Sequence, residues 1–263
     1  VHTIASQPAA EQAIQELMFA DRVVCVSDAT AILFRSAGVE DVRVIRPAVP
    51  VPGRLPETLA CRERLVAENI LPRMISGPLF LYPGDLEFSD GADIFIQAAQ
   101  TVAQQSPDAQ FLLACRPKTA ASKLRLERLK NRVKQNGMDR CIGFLGQVSN
   151  MPTLLSAVDA LVLPVNSLYA KVDIPFVLLE GMARAKPVIA SDLPSLTELA
   201  GLGQGTTIVP TSDAVATAHA MQAFIDAPNR LKHAGEMAQR TVSARFCPRE
   251  MAEAYEVLYR ELI

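Results

Sequence analysis

The chain has 263 residues, of which 49% are apolar and 21% are charged, and this composition excludes a disordered or collagen-like protein. Its formal net charge of −2 argues against a nucleic-acid binder, and no apolar run approaches the roughly 18 residues of a membrane span. The length predicts one large domain, or one medium domain with a piece of another.

The first part of the chain alternates helical and extended patterns. Because it begins at Val1 without a basic and apolar leader, we expect a piece of a longer protein with no secretory signal. Ser27 and Asp28 can cap a helix. A stretch rich in Pro and Gly then predicts a linker with one short helix. The predictions are a helix over 5–19, a strand over 21–27, a helix over 31–38, a strand over 42–47 and the linker over 47–78.

From Pro78 onward, apolar strands alternate regularly with helices. Such alternation predicts parallel strands joined by crossover helices, and hence a doubly wound α/β sheet covered on both faces. The predicted strands are 79–84, 108–115, 141–146, 159–165, 186–192 and 206–210. The predicted helices are 90–105 with Ser89 as its cap, 118–137, 151–158, 176–185, 194–201, 212–227, 229–246 and 248–262.

Ligands of doubly wound sheets bind outside the carboxyl ends of the strands, which directs attention to the loops there. The first loop, YPGDLEFSDG, has Gly84 for a tight turn, but Asp85, Glu87 and Asp90 disfavour an anion, so a plain turn is an equal alternative. In the second loop, Arg116 and Lys118 could meet a diphosphate or could simply be solvated.

The later loops leave alternatives open. Gly143 and Gly146 bracket a strand end where a flat ring could approach the backbone, although a bare turn fits equally. Glu180 lies in an otherwise apolar helix and could accept hydrogen bonds from a ribose. It could also cap a neighbouring helix or pair with Arg184 one turn later. The basic helix over 120–136 could contact anionic lipid, although a solvated face is the more common use of such a pattern.

The cysteines indicate a reducing compartment. They are Cys25, Cys61, Cys115, Cys141 and Cys247, an odd number without a C-x-x-C pair. This predicts buried reduced thiols rather than disulfides or zinc, in a cytoplasmic protein, which the basic helix over 120–136 could hold at the membrane periphery. Aromatic residues make up only 5% and Trp is absent, which disfavours a stacking platform for bases or sugars.

Several segments in order resemble one enzyme family. DRVVCVSDAT, LFLYPGDLEFSDGADIFIQA, IGFLGQVSNMPTLLSAVDALVLP and, most specifically, LLEGMARAKPVIASDLPSLTE are similar to the C-terminal half of retaining GT-B glycosyltransferases of group 1, family 4-like. The resemblance covers roughly residues 20–262. It implies a remnant of an N-terminal acceptor domain over 1–45, a linker over 46–77, a Rossmann-like nucleotide-sugar-binding domain over 78–247 and a C-terminal crossover helix over 248–263.

The resemblance also implies donor-binding positions. Glu180 matches the second Glu of the family's Glu-x7-Glu motif and would bind the donor ribose. Gly84 would approach the diphosphate, Gly146 and Val148 would lie near the base, and the backbone of Ile174, Pro175 and Phe176 would face the sugar and phosphate.

The sequence departs from the family pattern in two places. Val172 stands where the first motif Glu is expected, and Asp173, one residue later, is counted among the donor-binding residues. Asp85 and Asp90 replace the usual Arg and Lys of the first loop. Arg116, Lys118 and Lys171 could restore the positive charge.

The resemblance predicts transfer of a sugar from a nucleotide diphosphate, of the UDP or GDP type, to an acceptor hydroxyl with retained configuration. No catalytic residue is assigned and no metal or cofactor is expected, because no D-x-D or clustered His is present. The acceptor would be a glycan or lipid-linked, bound through the missing N-terminal domain, and the chain alone would be inactive. Alternatives are a non-catalytic nucleotide-sugar-binding or scaffold domain and, less favoured, an NAD-type Rossmann protein.

Overall fold

The computed structural model describes residues 1–8 and 11–262, and these residues form two parallel sheets. The first sheet has three strands in the order β1-β2-β3, with two helices beside it. Its core joins β2 to the helix that follows, through buried Val23, Cys25 and Phe34. Its elements are β1 (His2–Ile4), α1 (Glu11–Glu16), β2 (Val23–Cys25), α2 (Asp28–Ser36) and β3 (Val42–Val44).

The first sheet corrects one prediction. Within the described residues, the helix predicted over 5–19 is confined to α1, and positions 9 and 10 of that prediction lie outside the described residues. A strand that the sequence pattern did not reveal, β1, precedes the helix. Thr3 and Ile4 are β-branched and favour extended backbone, while Pro8 disfavours helical backbone at the residue before it. The helix therefore begins only after these residues.

The second sheet has six strands, all parallel, in the order β6-β5-β4-β7-β8-β9. Together with the likeness to solved structures given below, it confirms the predicted doubly wound α/β fold. Its central strands are buried along their whole length because helices cover both faces. Its elements are α3 (Thr58–Ala67), β4 (Leu79–Tyr82), α4 (Gly91–Gln105), β5 (Gln110–Leu113), α5 (Ala120–Gln135), β6 (Ile142–Phe144), α6 (Met151–Ala157), β7 (Ala160–Leu163), α7 (Phe176–Met182), β8 (Val188–Ser191), α8 (Pro194–Gly201), β9 (Thr206–Val209), α9 (Ala214–Asp226) and α10 (Pro228–Arg245).

The segment predicted as a linker packs firmly on the second sheet. Arg62 of α3 is only 5% exposed and donates hydrogen bonds to the carbonyls of Ala157, Ile75 and Gly77 and to the carboxylate of Asp159, at 2.8–3.1 Å. Buried guanidinium groups are tolerated when their donors are satisfied in this way. The proline-rich composition therefore marks irregular backbone rather than loose chain.

The last helix, α11 (Pro248–Arg260), returns to the first sheet. Buried Leu258 packs with Val24 of β2 and with Ile45. The hydroxyls of Tyr255 and Thr3 lie 3.0 Å apart, within hydrogen-bond distance. The chain thus crosses from the first sheet to the second and back again.

The cysteines and the N-cap of α4 test two further predictions. All five cysteines are free thiols, as expected, and burial raises the pKa of Cys25 and Cys115 to about 12, so both stay protonated near neutral pH. The N-cap of α4 is Asp90 rather than the predicted Ser89, which is buried. Of the helices that the structure describes, none combines the length and apolar character needed to cross a membrane.

Candidate functional site

A cleft of about 230 Å³ opens at the carboxyl ends of β4 and β7, and we call it the donor cleft after the role that the family resemblance predicts for this place. These strands are neighbours, but the chain runs outward from β4 through β5 and β6 on one side and from β7 through β8 and β9 on the other. Such a reversal of strand order is where doubly wound sheets leave a crevice for ligands. The cleft is lined by Pro83, Gly84, Asp85, Leu163, Val165, Ser167, Leu168, Lys171, Val172, Pro175, Phe176 and Val177.

Gly84 is required by the packing of the turn that forms one edge of the donor cleft. A Cβ atom at this position would lie 2.0 Å from Cζ of the fully buried Tyr82 ring, so no larger residue fits. The close approach of backbone to ring accounts for the glycine without a ligand. It also leaves the backbone of the turn uncovered on the side of the cleft.

The only cationic residue lining the donor cleft, among those that the structure describes, is Lys171, and it is paired. Its Nζ lies 3.2 Å from the carboxylate of Asp85, which also accepts hydrogen bonds from the N–H groups of Glu87 at 2.7 Å and Phe88 at 3.0 Å. Burial alone would raise the pKa of Asp85, but these hydrogen bonds and Lys171 outweigh it and lower the pKa below its ordinary value. Asp85 is therefore ionised at neutral pH and balances Lys171.

One wall of the donor cleft is apolar. It contains Val172 at the position where the family resemblance expects a Glu, followed by Pro175 and by Phe176, which is 45% exposed. Ile174 is fully buried and does not line the cleft. Of the predicted donor residues, the structure thus brings together Gly84, Lys171, Pro175 and Phe176.

Asp173 lies at the junction between the two sheets rather than in the donor cleft. It is 1% exposed, and its carboxylate accepts hydrogen bonds from Ser27 Oγ at 2.5 Å, from Thr30 Oγ1 and from the Gln7 N–H at 3.0 Å. Its own N–H donates to the carbonyl of Ala5 at 2.9 Å. Three bonds to its carboxylate and one from its backbone thus join the sheets, and the Asp173 side chain, predicted to bind the donor, does not line the donor cleft.

Glu180 has a carboxylate with no hydrogen-bond or ion-pair partner within residues 1–8 and 11–262. It lies one helical turn after Phe176 and Val177 of the donor cleft, on the same side of α7. Glu180 is half-buried and is not itself a lining residue. The alternative pairing with Arg184 is not formed, because Arg184 donates at 2.8 Å to the backbone carbonyl of Glu180 instead.

The other predicted residues lie farther along the same edge of the second sheet. Arg116 and Lys118 follow β5 and are exposed, without ion pairs in the described part of the chain, and neither lines the donor cleft. The N–H of Lys118 donates to Glu87 at 2.8 Å, which ties their loop to the loop after β4. Gly146, with φ of +64°, and Val148 follow β6, two strands or about 10 Å from β4.

The basic helix α5 is less available to a membrane than its sequence suggests. Arg125 and Arg132 both donate at 2.6 Å to Asp93 of α4, so two of its cations hold helix to helix. Lys130 pairs with Glu127 at 2.9 Å. The exposed basic surface of α5 is correspondingly reduced.

Sequence reasoning missed an exposed aromatic pair in the two loops that form the donor cleft. Phe88 is 52% exposed and Tyr169 is 53% exposed, and their rings meet edge to face with centroids 5.2 Å apart. Composition gave no sign of them, because only 5% of the chain is aromatic. The signal that could have revealed them is their position, because Phe88 and Tyr169 lie in the loops after β4 and β7, where ligands of such sheets bind.

Comparison with known proteins adds the family. A model of the family described as "Glycosyl transferases group 1" matches residues 77–227. Alpha-D-kanosaminyltransferase from Streptomyces kanamyceticus is 25% identical over 187 residues, which cover 70% of this chain and 46% of that protein. Lipopolysaccharide core biosynthesis mannosyltransferase LpsB from Rhizobium meliloti (strain 1021) is 28% identical over 182 residues, 68% of this chain and 50% of LpsB. The chain thus spans about half the length of these curated relatives.

The fold also matches solved structures. The crystal structure of Anabaena Alr3699/HepE in complex with UDP and glucose superposes with a TM-score of 0.81 at 18% identity, over 98% of this chain and 70% of HepE. At this identity the likeness establishes the architecture only.

Proposed function

Because the chain belongs to the glycosyl transferases group 1 family, we propose that it is the donor-binding part of a glycosyltransferase and holds a nucleotide-diphospho-sugar in the donor cleft. The observation that carries this proposal is the position of the cleft, at the carboxyl ends of β4 and β7 where the strand order reverses. The relatives are named as glycosyltransferases, and the HepE structure contains UDP and glucose, so UDP is the first nucleotide to test.

In the proposed complex, the uncovered turn at Gly84 and the Lys171 ammonium face the diphosphate. The bond from sugar to diphosphate breaks with an oxocarbenium-like sugar and a departing diphosphate, so positive charge near the leaving group lowers the barrier. Lys171 would exchange Asp85 for the diphosphate, with Arg116 and Lys118 as further cations on the neighbouring loop. We propose that these side chains, rather than a metal ion, neutralise the leaving group, so that EDTA leaves nucleotide affinity unchanged.

The unpartnered carboxylate of Glu180 is proposed to accept hydrogen bonds from the ribose hydroxyls. A carboxylate oxygen can accept two such bonds at once, and those made by a charged group are the stronger kind. The sugar would then pass to an acceptor hydroxyl with retained configuration, as the family resemblance implies. In this proposal, the whole enzyme supplies the acceptor site and the remaining catalytic groups.

A second candidate function is a scaffold domain whose donor site has lost its chemistry. Two observations favour it: Val172 cannot hydrogen-bond a sugar hydroxyl, and Asp85 and Asp90 place negative charge in the loop after β4. On this alternative the donor cleft stays empty in the presence of any nucleotide.

The two functions are distinguished by the melting temperature of the chain with UDP, GDP, ADP or NAD. Binding to the folded state raises the melting temperature by mass action, so we expect a shift with UDP and no shift with NAD. Glu180→Gln should weaken UDP binding about tenfold. Glu40→Gln, at an exposed position far along the chain, is the matched control. No shift with any nucleotide supports the scaffold.

A chemical variant of the ligand tests the role of Glu180 directly. Deoxy-UDP, which lacks the ribose 2′-hydroxyl, should bind the unaltered chain more weakly than UDP does. If Glu180 holds that hydroxyl, Glu180→Gln should bind the two nucleotides almost equally, because the interaction is already gone. An equal preference for UDP in both proteins would place the ribose elsewhere.

A further inference from the structure

Asp90 is hydrogen-bonded to two other loops at the carboxyl end of the second sheet. Its N–H donates to the side-chain oxygen of Asn166, and its carboxylate accepts from the N–H of Asn166, both at 3.2 Å. Its second carboxylate oxygen accepts from Ser212 Oγ at 2.6 Å. Because Asn166 follows β7 and Ser212 follows β9, one residue connects the loops after β4, β7 and β9. We call these three hydrogen bonds the Asp90 clasp.

The carboxylate of Asp90 is available for the clasp because it does not cap its own helix. An aspartate at an N-cap position ordinarily accepts a hydrogen bond from a first-turn N–H group. Asp90 is the N-cap residue of α4, yet its backbone is already helical, with φ of −85° and ψ of −2°, and its side chain makes no capping bond. Both of its oxygens are committed to the neighbouring loops instead.

Close packing brings the three loops together. The helix after Asp90, α4, packs against α9, the helix after Ser212. Gly91, next to Asp90, approaches the loop after β7 so closely that a Cβ atom there would lie 2.6 Å from Cγ1 of Val165. Ser212 has φ of +58°, a conformation that residues other than glycine adopt only uncommonly. The clasp therefore joins residues that the packing already holds near one another.

The clasp fixes one end of the segment that carries Lys171. The residue before Asn166, Val165, is held by the sheet itself, since Ser191 of β8 donates to its carbonyl. Asn166 is exposed, so the clasp extends this hold one residue beyond the sheet. At the other end, Asp173 is bonded to the first sheet and its flanking loops. Lys171 thus lies on a short stretch of chain that is fastened on both sides.

The clasp is independent of the groups that the diphosphate is proposed to displace. In the proposed complex, Lys171 leaves Asp85, which removes the ion pair between the loops after β4 and β7. Neither Asp90 nor Asn166 lines the donor cleft, so the hydrogen bonds between them can persist when the cleft is filled. They would then hold the two loops together after the ion pair has gone.

We propose that Asp90 is a positioning residue, which holds the loop after β7 through the clasp so that Lys171 stays within reach of the donor diphosphate. The proposal rests on the proposed function, since it concerns how Lys171 meets the donor. It gives Asp90 a role other than the repulsion of anions that its charge alone would predict, and the two roles have opposite consequences for binding.

Calorimetric titration with UDP distinguishes positioning from repulsion. Asp90→Ala removes both carboxylate contacts of the clasp and should weaken UDP binding about fivefold. Asp90→Asn keeps an oxygen for the Asn166 N–H and gains an amide that can donate to Ser212 Oγ, so its affinity should stay within about twofold of the unaltered chain. If Asp90 acted as a repulsive charge, both variants would bind UDP more tightly, which would overturn the proposal.

Asp139→Ala is the matched control for these titrations. It removes one exposed negative charge before β6, at the opposite end of the second sheet from the donor cleft, and should leave UDP affinity unchanged. Melting temperatures of all variants, measured without nucleotide, separate a loss of affinity from a loss of folded protein.

A double-mutant cycle tests whether Asp90 acts through Lys171. Lys171→Met removes the ammonium and keeps a side chain of similar length. In the Lys171→Met background, Asp90→Ala should change UDP affinity by less than about twofold, because the group that Asp90 positions is already gone. A loss of about fivefold in both backgrounds would show that Asp90 acts on binding by another route and would contradict the proposal.

Amide exchange over residues 166–171 tests the clasp without any nucleotide. Exchange there should become faster in Asp90→Ala but not in Asp90→Asn, because only the alanine leaves the Asn166 N–H without an acceptor. Equal exchange in Asp90→Ala and the unaltered chain would refute the clasp. If exchange changes as expected but the unaltered chain binds no UDP, the donor proposal fails while the hold of Asp90 on this loop stands.

Discussion

At the scale of single residues, the ion pair of Lys171 and Asp85 sets the charge of the donor cleft. The carboxylate is held in place by two backbone N–H groups, and the ammonium reaches it from the loop after β7. The pair leaves the cleft close to neutral until a ligand arrives. A diphosphate must therefore compete with Asp85 for the same cation, which weakens binding relative to a free lysine.

Substituting Asp85→Asn should raise UDP affinity several-fold, because Lys171 loses its internal partner while the amide oxygen can still accept the two N–H bonds. The same change should lower the free energy of unfolding at pH 7 by about 1 kcal/mol. Because the folded-state pKa of Asp85 lies below its unfolded value, its stabilisation is full above about pH 4 and is lost as the pH falls through the folded-state pKa.

Urea unfolding of both proteins between pH 7 and pH 2, with UDP titrations at pH 7, checks both expectations. The difference in stability between the two proteins should shrink below about pH 4. A constant difference down to pH 2, or unchanged UDP affinity, would show that the ion pair contributes to neither property.

At the scale of elements, two carboxylates hold the start of α2. One lies in the loop after β7 and the other in α8, which follows β8. Asp173 accepts from Ser27, Thr30 and Gln7, and Glu198 of α8 accepts from the Ala29 N–H at 2.9 Å. Negative charge at the first turn of a helix is favourable because the free N–H groups and the helix dipole point there. The two sheets are thus joined at the N-terminus of α2.

Asp173→Ala should lower the free energy of unfolding by about 3 kcal/mol, because it leaves two buried hydroxyls and one half-buried N–H without an acceptor. Asp139→Ala, at an exposed position, is the control and should change stability by less than about 0.5 kcal/mol. Urea denaturation measures both, and amide exchange at Gln7 should accelerate in the Asp173 variant alone. Equal stability of the two variants would contradict the assigned role.

The elements of the second sheet could be predicted because each strand is a short apolar run and each helix has a polar face, signals that lie within a few neighbouring residues. The strand β1 could not, because three residues give too short a pattern. Gly84 and Lys171 could be predicted, because they lie in the loops at the carboxyl ends of the neighbouring strands β4 and β7. The role of Asp173 in joining the sheets could not be predicted, because its hydrogen-bond partner Ser27 lies 146 residues away in the sequence.

At the scale of the whole molecule, the chain crosses between the sheets at two places that touch. The segment after β3 and the segment before α11 meet where the N–H of Val49 donates to the carbonyl of Phe246 at 3.2 Å. Beyond this point α11 covers the first sheet through Leu258. The last helix therefore supplies part of the hydrophobic core that covers the first sheet.

Leu258→Ala should therefore lower the free energy of unfolding by about 2–4 kcal/mol, since it removes a fully packed side chain and leaves a cavity against Val24 and Ile45. Leu262→Ala, at a position 40% exposed, should cost less than about 0.5 kcal/mol. Chemical denaturation compares the two. Amide exchange in β2 should increase only in the Leu258 variant, and its absence there would show that α11 does not stabilise the first sheet.

The contact of Val49 with Phe246 brings the two covalent connections between the sheets side by side. Asp173, which joins the sheets through its carboxylate, directly follows Val172 and lies two residues after Lys171, both of which line the donor cleft. One short segment therefore fastens the sheets to each other and also forms part of the cleft wall, so a substitution that loosens the junction is expected to disturb the cleft as well.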